Sequence, residues 1–345
     1  MYRIGLDVSG GDKAPKEVIK GALLAKKELK EQIVLIGVLS EIEAELKANG
    51  ASLSDFEVVE AKDKIDMGEA PAMAVRRKRQ SSIVVGANML RDKKIDAFVS
   101  CGNTGAMVCA STLAVGLMEG VERPGIGIVV PTQKGPAMII DVGANVDPKP
   151  LHLFQYGIMA SVYYELVLGK KNPTVGVLNI GEEEGKGIDF LKAAHKMFGM
   201  SSLNFIGNLE AKQLFRGECD CIVADGFAGN IALKVAESAA EFFGKSLLKI
   251  MKSNLMGMVG LFFSQGSLRK FKKMISYSEY GGAPLLGVNG VVIIAHGSSD
   301  ATAVKNALRV AGEELENNVI NEIQKKISSI CTQDNLKELL QGAEK

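Results

Sequence analysis

Tryptophan is absent, histidine occurs three times, and the charges cancel, with 41 Lys and Arg against 40 Asp and Glu in 345 residues. Such a balance lacks the basic excess of a nucleic-acid-binding protein. No apolar stretch reaches the ~18 residues of a membrane span; residues 106–118 form one of the longest. The five cysteines (101, 109, 219, 221 and 331) are odd in number, match no zinc spacing and follow no signal peptide. Free thiols in a reducing cytosol are therefore expected. Three catalytic signatures are also missing. There is no G-x-G-x-x-G, and no G-x-S-x-G elbow. The segment 181–187 is one residue short of a P-loop, lacks Ser or Thr after its lysine, and carries three glutamates that would repel a triphosphate.

What is present is a globular α/β pattern. Hydrophobic residues make up 47% and charged residues 23% of the chain, which excludes disorder. Short apolar runs at 2–8, 33–38, 97–100, 127–130, 137–140, 174–178, 204–206, 221–224 and 291–295 read as strands. Helical patterns at 16–30, 72–91, 151–168, 188–198 and 228–251 alternate with them. The alternation predicts a mostly parallel sheet with helices on both faces, formed as one domain over 1–330 with a helical tail at 331–345.

One segment breaks the pattern. Residues 242–278 contain seven basic and no acidic side chains around an apolar run, 255–263. This composition suits either an amphipathic hairpin resting on anionic lipid or a helix pair buried in a dimer interface.

Six glycine-rich polar turns follow strand patterns: 7–15, 100–105, 141–145, 179–187, 225–230 and 296–300. Ligands of parallel sheets bind at the carboxyl ends of strands, so the turns together predict one polar site along one sheet edge. Of the histidines, His152 and His195 lie in helical patterns, whereas His296 ends a strand and opens a Gly-Ser-Ser turn. The carboxylates Asp12, Asp141, Glu182 and Asp225 fall one to a turn, which does not indicate a metal cage.

These turns, in order, resemble a known family. Gly10-Gly11-Asp12-Lys-Ala-Pro15, Gly102-Asn-Thr-Gly105, Asn179-Ile-Gly-Glu-Glu183 with Lys186-Gly187, Asp225-Gly-Phe-Ala-Gly-Asn230, Tyr280-Gly-Gly-Ala-Pro284 and His296-Gly-Ser-Ser299 are similar to the motifs of the bacterial phosphate acyltransferases of phospholipid synthesis. Small departures occur at Val8-Ser9, Cys101 and Ala228. The resemblance implies a Rossmann-like three-layer α/β/α sandwich of the isocitrate and isopropylmalate dehydrogenase type with a protruding amphipathic helical hairpin. It implies acyl transfer from acyl carrier protein to inorganic phosphate, without cofactor or metal. A homodimer is implied too, held peripherally at the inner face of the cell membrane and feeding a glycerol-3-phosphate acyltransferase. The membrane contacts would be Leu255, Met256, Met258, Val259, Leu261, Phe262 and Phe263.

Phosphate is already an anionic nucleophile, so the site must hold it beside a thioester and stabilise the oxyanion. Lys186 and Asn230 are the expected electrostatic groups, with Asp225 orienting them and His296 protonating the leaving thiolate. The expected substrate contacts are Gly10, Gly11, Asp12, Asn103, Thr104, Gly105, Asn145, Asn179, Gly181, Glu182, Gly226 and Gly229. Two basic clusters, 76–79 and 270–273, are candidates for docking an acidic carrier protein. Alternatives are a phosphotransacetylase-like enzyme using coenzyme A thioesters, a decarboxylating dehydrogenase on the related fold, and a membrane-associated scaffold.

Overall fold

The structure, a computed structural model, describes residues 1–275 and 281–344, with side chains except at 269, 270, 272–275, 333, 343 and 344. Tyr280, the last residues of the 242–278 segment and Lys345 fall outside it, as do the side chains of Lys270, Lys272 and Lys273.

Among the described residues eleven strands make one sheet: β1 (Arg3–Asp7), β2 (Gln32–Gly37), β3 (Glu57–Glu60), β4 (Ala97–Ser100), β5 (Gly125–Thr132), β6 (Gly135–Ile140), β7 (Val175–Leu178), β8 (Phe205–Leu209), β9 (Cys221–Val223), β10 (Ala283–Leu286) and β11 (Val291–Ile294). Their order is β3-β2-β1-β4-β11-β10-β5-β6-β9-β7-β8. β1, β2 and β11 are mainly apolar and, beyond the first residue of β1 and β2, buried, since helices cover both faces. Helix Lys16–Glu28 buries Val18, Ile19, Ala22 and Ala25 and ends on Lys26 and Lys27, which suit the negative end of its dipole. Helix Pro150–Val167 is buried on all sides between Leu151 and Ser161 and forms the centre of the second half's core.

The three-layer sandwich is as the resemblance implies, but the strand directions alter where the turns lie. Strand β5 pairs antiparallel with β6, and β10 pairs antiparallel with both β11 and β5. Consequently β1, β4 and β11 point one way, whereas β6, β9 and β7 point the other. The six polar turns therefore divide between two opposite edges, three and three. This corrects the single edge expected above. The pattern at 72–91 is likewise two helices, Pro71–Arg77 and Ser82–Arg91. They separate because Asp63 bonds the backbone of Gln80 and Ser82, drawing the chain out of helical register.

Helices Gly226–Met251 and Leu255–Ile275 form a hairpin. At its bend Leu255, Met256, Met258, Val259, Phe262 and Phe263 are exposed, whereas Leu261 turns inward. Among the described residues, no helix is long and apolar enough to cross a membrane. The five cysteines are free.

Candidate active site

At the first edge, the Asp7 carboxylate is wholly buried and organises the turn after β1. It accepts from the Ser9 and Gly10 N–H groups at 3.0 and 3.1 Å and from the Ser100 hydroxyl at 2.6 Å. Burial pushes its pKa up, against those donors. Gly11 adopts φ +108°, a left-handed conformation that L side chains resist. The Asp12 N–H then reaches the Gly297 carbonyl at 2.8 Å, and Lys13 reaches that of Ser298 at 2.6 Å. Turns 7–15 and 296–300 are thus one unit.

Asn103 caps helix Thr104–Ala114 by accepting from the Ala106 N–H. Its amide donates to the carbonyls of Asp66, Met67 and Glu69, so this side chain ties down a neighbouring loop. Thr104 and Gly105 open the helix, and their N–H groups have no protein partner among the described residues. Cys101, next to Gly11, is no nucleophile: burial pushes its thiol up to about 12.

The second edge repeats the device around Asp141, also wholly buried. Its carboxylate accepts from the N–H groups of Ile126, Gly143, Ala144 and Asn145 at 2.7 to 3.0 Å. Burial raises its pKa as well. Asn145 donates to the Pro124 carbonyl and the Tyr156 hydroxyl, while its own carbonyl accepts from Gly226. Helix Gly226–Met251 starts hard against this turn. A Cβ on Gly229 would lie 2.0 Å from the Asp141 carbonyl oxygen, so no side chain fits there. Asp225 caps the helix, accepting from Phe227 and Ala228 at 3.0 and 2.8 Å.

The third turn of this edge is largely engaged with itself. Asn179 donates to the Lys186 carbonyl at 3.1 Å and accepts from Ile180. Glu182 pairs with Lys212 at 3.3 Å. Lys186 is exposed, with its stem over Gly181.

A cleft of about 1170 Å³ joins the two edges across the sheet. Thr104, His296, Ser298, Ser299 and Asp300 line it from the first edge, Val142 and Asn230 from the second, and Ile126, Ile128, Ala283 and Ile294 form its floor. Of the expected site residues, the structure brings Thr104, Asn230 and His296 together here. Asn103, Asn145, Asn179, Asp225 and Lys186 are not on its walls.

Sequence reasoning missed Lys234, which does line the cleft. It follows Asn230 by four residues and so shares its helix face, a spacing that would have found it. The Lys234 ammonium pairs with Glu237 at 2.8 Å and sits 3.5 Å from His296 Nε2. His296 Nδ1 lies 2.8 Å from the Ser298 hydroxyl and 3.2 Å from the Ser298 N–H, which orients the ring. The ammonium and the imidazole edge therefore meet at the head of the cleft. The Asn230 amide, without a partner among the described residues, stands one helical turn away. Such groups hold an anion where their donors are free, and here Glu237 occupies one side of the Lys234 ammonium. Among the described residues no three His, Cys, Asp or Glu side chains gather as a metal site.

Two half-sheets of opposed direction, with a cleft running across them, make a three-layer α/β fold that solved structures share. A phosphotransacetylase from Streptococcus pyogenes shares the fold with a TM-score of 0.62 at 16% identity, over 91% of this chain and 94% of that one. A 4-hydroxythreonine-4-phosphate dehydrogenase from Klebsiella pneumoniae gives 0.50 at 12% identity, over 90% and 99%. Sequence likeness is more specific: the profile of the family described as "Fatty acid synthesis protein" matches residues 2–322. A phosphate acyltransferase from Pelotomaculum thermopropionicum is 44% identical over 333 residues, 95% of this chain and 96% of that protein. The chain belongs to this family of fatty acid synthesis proteins.

Proposed function

We propose that this protein transfers a long-chain acyl group from acyl carrier protein to inorganic phosphate, forming acyl phosphate. The observation that carries the reading is the donor set of Asn230, Lys234 and His296 at the head of a long, mainly apolar cleft. Phosphate binds among Lys234, the His296 imidazole and the free N–H groups of Thr104 and Gly105. A phosphate oxygen attacks the thioester carbon, and the Asn230 amide holds the oxyanion that develops. Collapse of this intermediate breaks the C–S bond. The carrier thiolate leaves and takes its proton from His296 or water. Lys186, on the edge that also carries Asn230, adds positive charge from outside the cleft. Asp225 and Asp141 act at one remove by fixing the helix that presents Asn230.

The carrier protein docks at the cleft mouth. Arg76, Arg77 and Arg79 are exposed at the end of helix Pro71–Arg77, whose Pro71 packs against Gly105. Lys78 is engaged by Glu69 at 2.7 Å and contributes less. The outer stripe Phe227, Ile231, Val235, Phe242 and Phe243 is exposed and suits a second copy of the chain. The hairpin bend, with Lys249 and Lys252 beside its apolar side chains, rests on anionic lipid. There the acyl phosphate passes to a glycerol-3-phosphate acyltransferase.

The test is acyl-phosphate formation from palmitoyl-acyl carrier protein and phosphate, trapped as hydroxamate, with palmitoyl-coenzyme A in parallel. Phosphate-dependent product from the carrier-protein substrate is expected. Lack of product from both thioesters with folded protein overturns the reading in favour of a scaffold. Preference for coenzyme A thioesters overturns the carrier-protein assignment.

A further inference from the structure

Beyond Asn230 the cleft continues along one face of helix Gly226–Met251, past Leu233, Ala240, Gly244 and Leu248. Leu261 and Leu268 of the second hairpin helix face these residues. Asn230 to Leu248 is five turns of helix, a span of ~27 Å. The charged groups of this stretch neutralise one another: Lys234 pairs with Glu237, and Lys245 with Glu241. A transferred acetyl group would occupy the head of the cleft and leave the rest empty. An extended apolar chain would fill it.

We propose that this groove is the acyl-chain subsite, and that Ala240 and Gly244 set how long a chain it accepts. The proposal rests on the acyl-transfer reading above. The thioester carbonyl lies at Asn230, and the chain runs toward the hairpin bend between the two helices. Small side chains at 240 and 244 keep a channel open where leucine at either position would close it. Gly244 bears on this directly. A Cβ there meets nothing within 4 Å, although glycine in a helix interior costs ~1 kcal/mol relative to alanine. Packing against neighbours does not require the glycine. An unfilled channel does.

The experiment measures kcat/KM of the full-length protein with acyl carrier protein thioesters of graded length, from butyryl to stearoyl. It compares the native chain with Gly244→Leu and Ala240→Leu. For the native chain, kcat/KM rises by up to about fourfold per methylene until the groove is full. Gly244→Leu lowers the ratio of stearoyl to butyryl kcat/KM by about tenfold or more. Ala240→Leu moves the cut-off to shorter chains by about one helical turn, ~6 Å. Circular dichroism and the Tm establish that both variants fold, and Gly244→Leu gains helix propensity. Folded, active variants with the native chain-length profile overturn the groove and leave acyl transfer standing. Absence of product from every thioester with the native chain overturns acyl transfer, and the groove's occupant with it.

Discussion

The two edges of the sheet use the same device to different ends. Each has a buried aspartate at the end of a strand, gathering the N–H groups of the following turn. On the first edge Asp7 takes two backbone donors and one hydroxyl, and the neighbouring turns leave Thr104 and His296 facing the cleft. On the second edge Asp141 takes four backbone donors, the Asn145 side chain is spent on Pro124 and Tyr156, and that of Asn179 serves its own loop. A polar turn is therefore not in itself a binding turn. What matters is whether its donors are left over after the backbone has been satisfied. The second edge reaches the cleft chiefly through what it anchors, the helix carrying Asn230 and Lys234.

The largest effects should separate residues on the cleft wall from those outside it. Asn230→Ala is expected to lower kcat by ~100–1,000-fold, the usual cost of one oxyanion donor. Lys234→Ala should lower kcat/KM for phosphate by about 10–100-fold, and Lys186→Ala by about tenfold. Steady-state kinetics with phosphate varied would check the order. A Lys186 effect larger than that of Lys234 would move the anion site toward the second edge.

A smaller effect compares the two aspartates directly. Asp141→Asn puts an amide against backbone N–H groups that cannot reverse, a cost of ~1–3 kcal/mol. Asp7→Asn is expected to cost less, because the Ser100 hydroxyl can turn from donor to acceptor. Urea unfolding of the two variants measures the difference, and equal losses would dissolve the contrast.

The smallest effect concerns pH. His152 is buried, accepts from the Lys149 N–H through Nδ1 and contacts Glu122 through Nε2. Desolvation lowers its pKa, although Glu122 opposes the shift. The unfolded chain then binds a proton that the fold resists. Stability from this group is complete above the ordinary histidine pKa and is lost as pH falls through it. Urea midpoints between pH 8 and 5.5 should decline, with a shallower slope for His152→Gln.

Much of the fold was legible because it is local. Helix Lys16–Glu28 shows its apolar face at helical spacing, and β2 and β11 carry apolar runs rich in β-branched residues. Strand direction was not, because it is set by pairing between distant segments, such as Leu285 with Ile126. Strands β3 and β10 escaped notice: Glu-Val-Val-Glu is a short edge strand, and Ala-Pro-Leu-Leu contains a proline between glycines. In the site, the turn positions were readable from Gly and Asn. Which amides are spent was not, since that depends on carbonyls elsewhere, as Asn103 shows with Asp66, Met67 and Glu69.

Helix Gly226–Met251 has Asn230 in its first turns and the hairpin bend just beyond its end. The bend's orientation about the helix axis is thus locked in phase with the donors of the cleft. One residue inserted in the middle of the helix would rotate the bend by ~100° relative to Asn230, and seven would restore nearly the same face, ~10 Å farther out. The number of residues between the two is therefore a setting of angle as well as of distance.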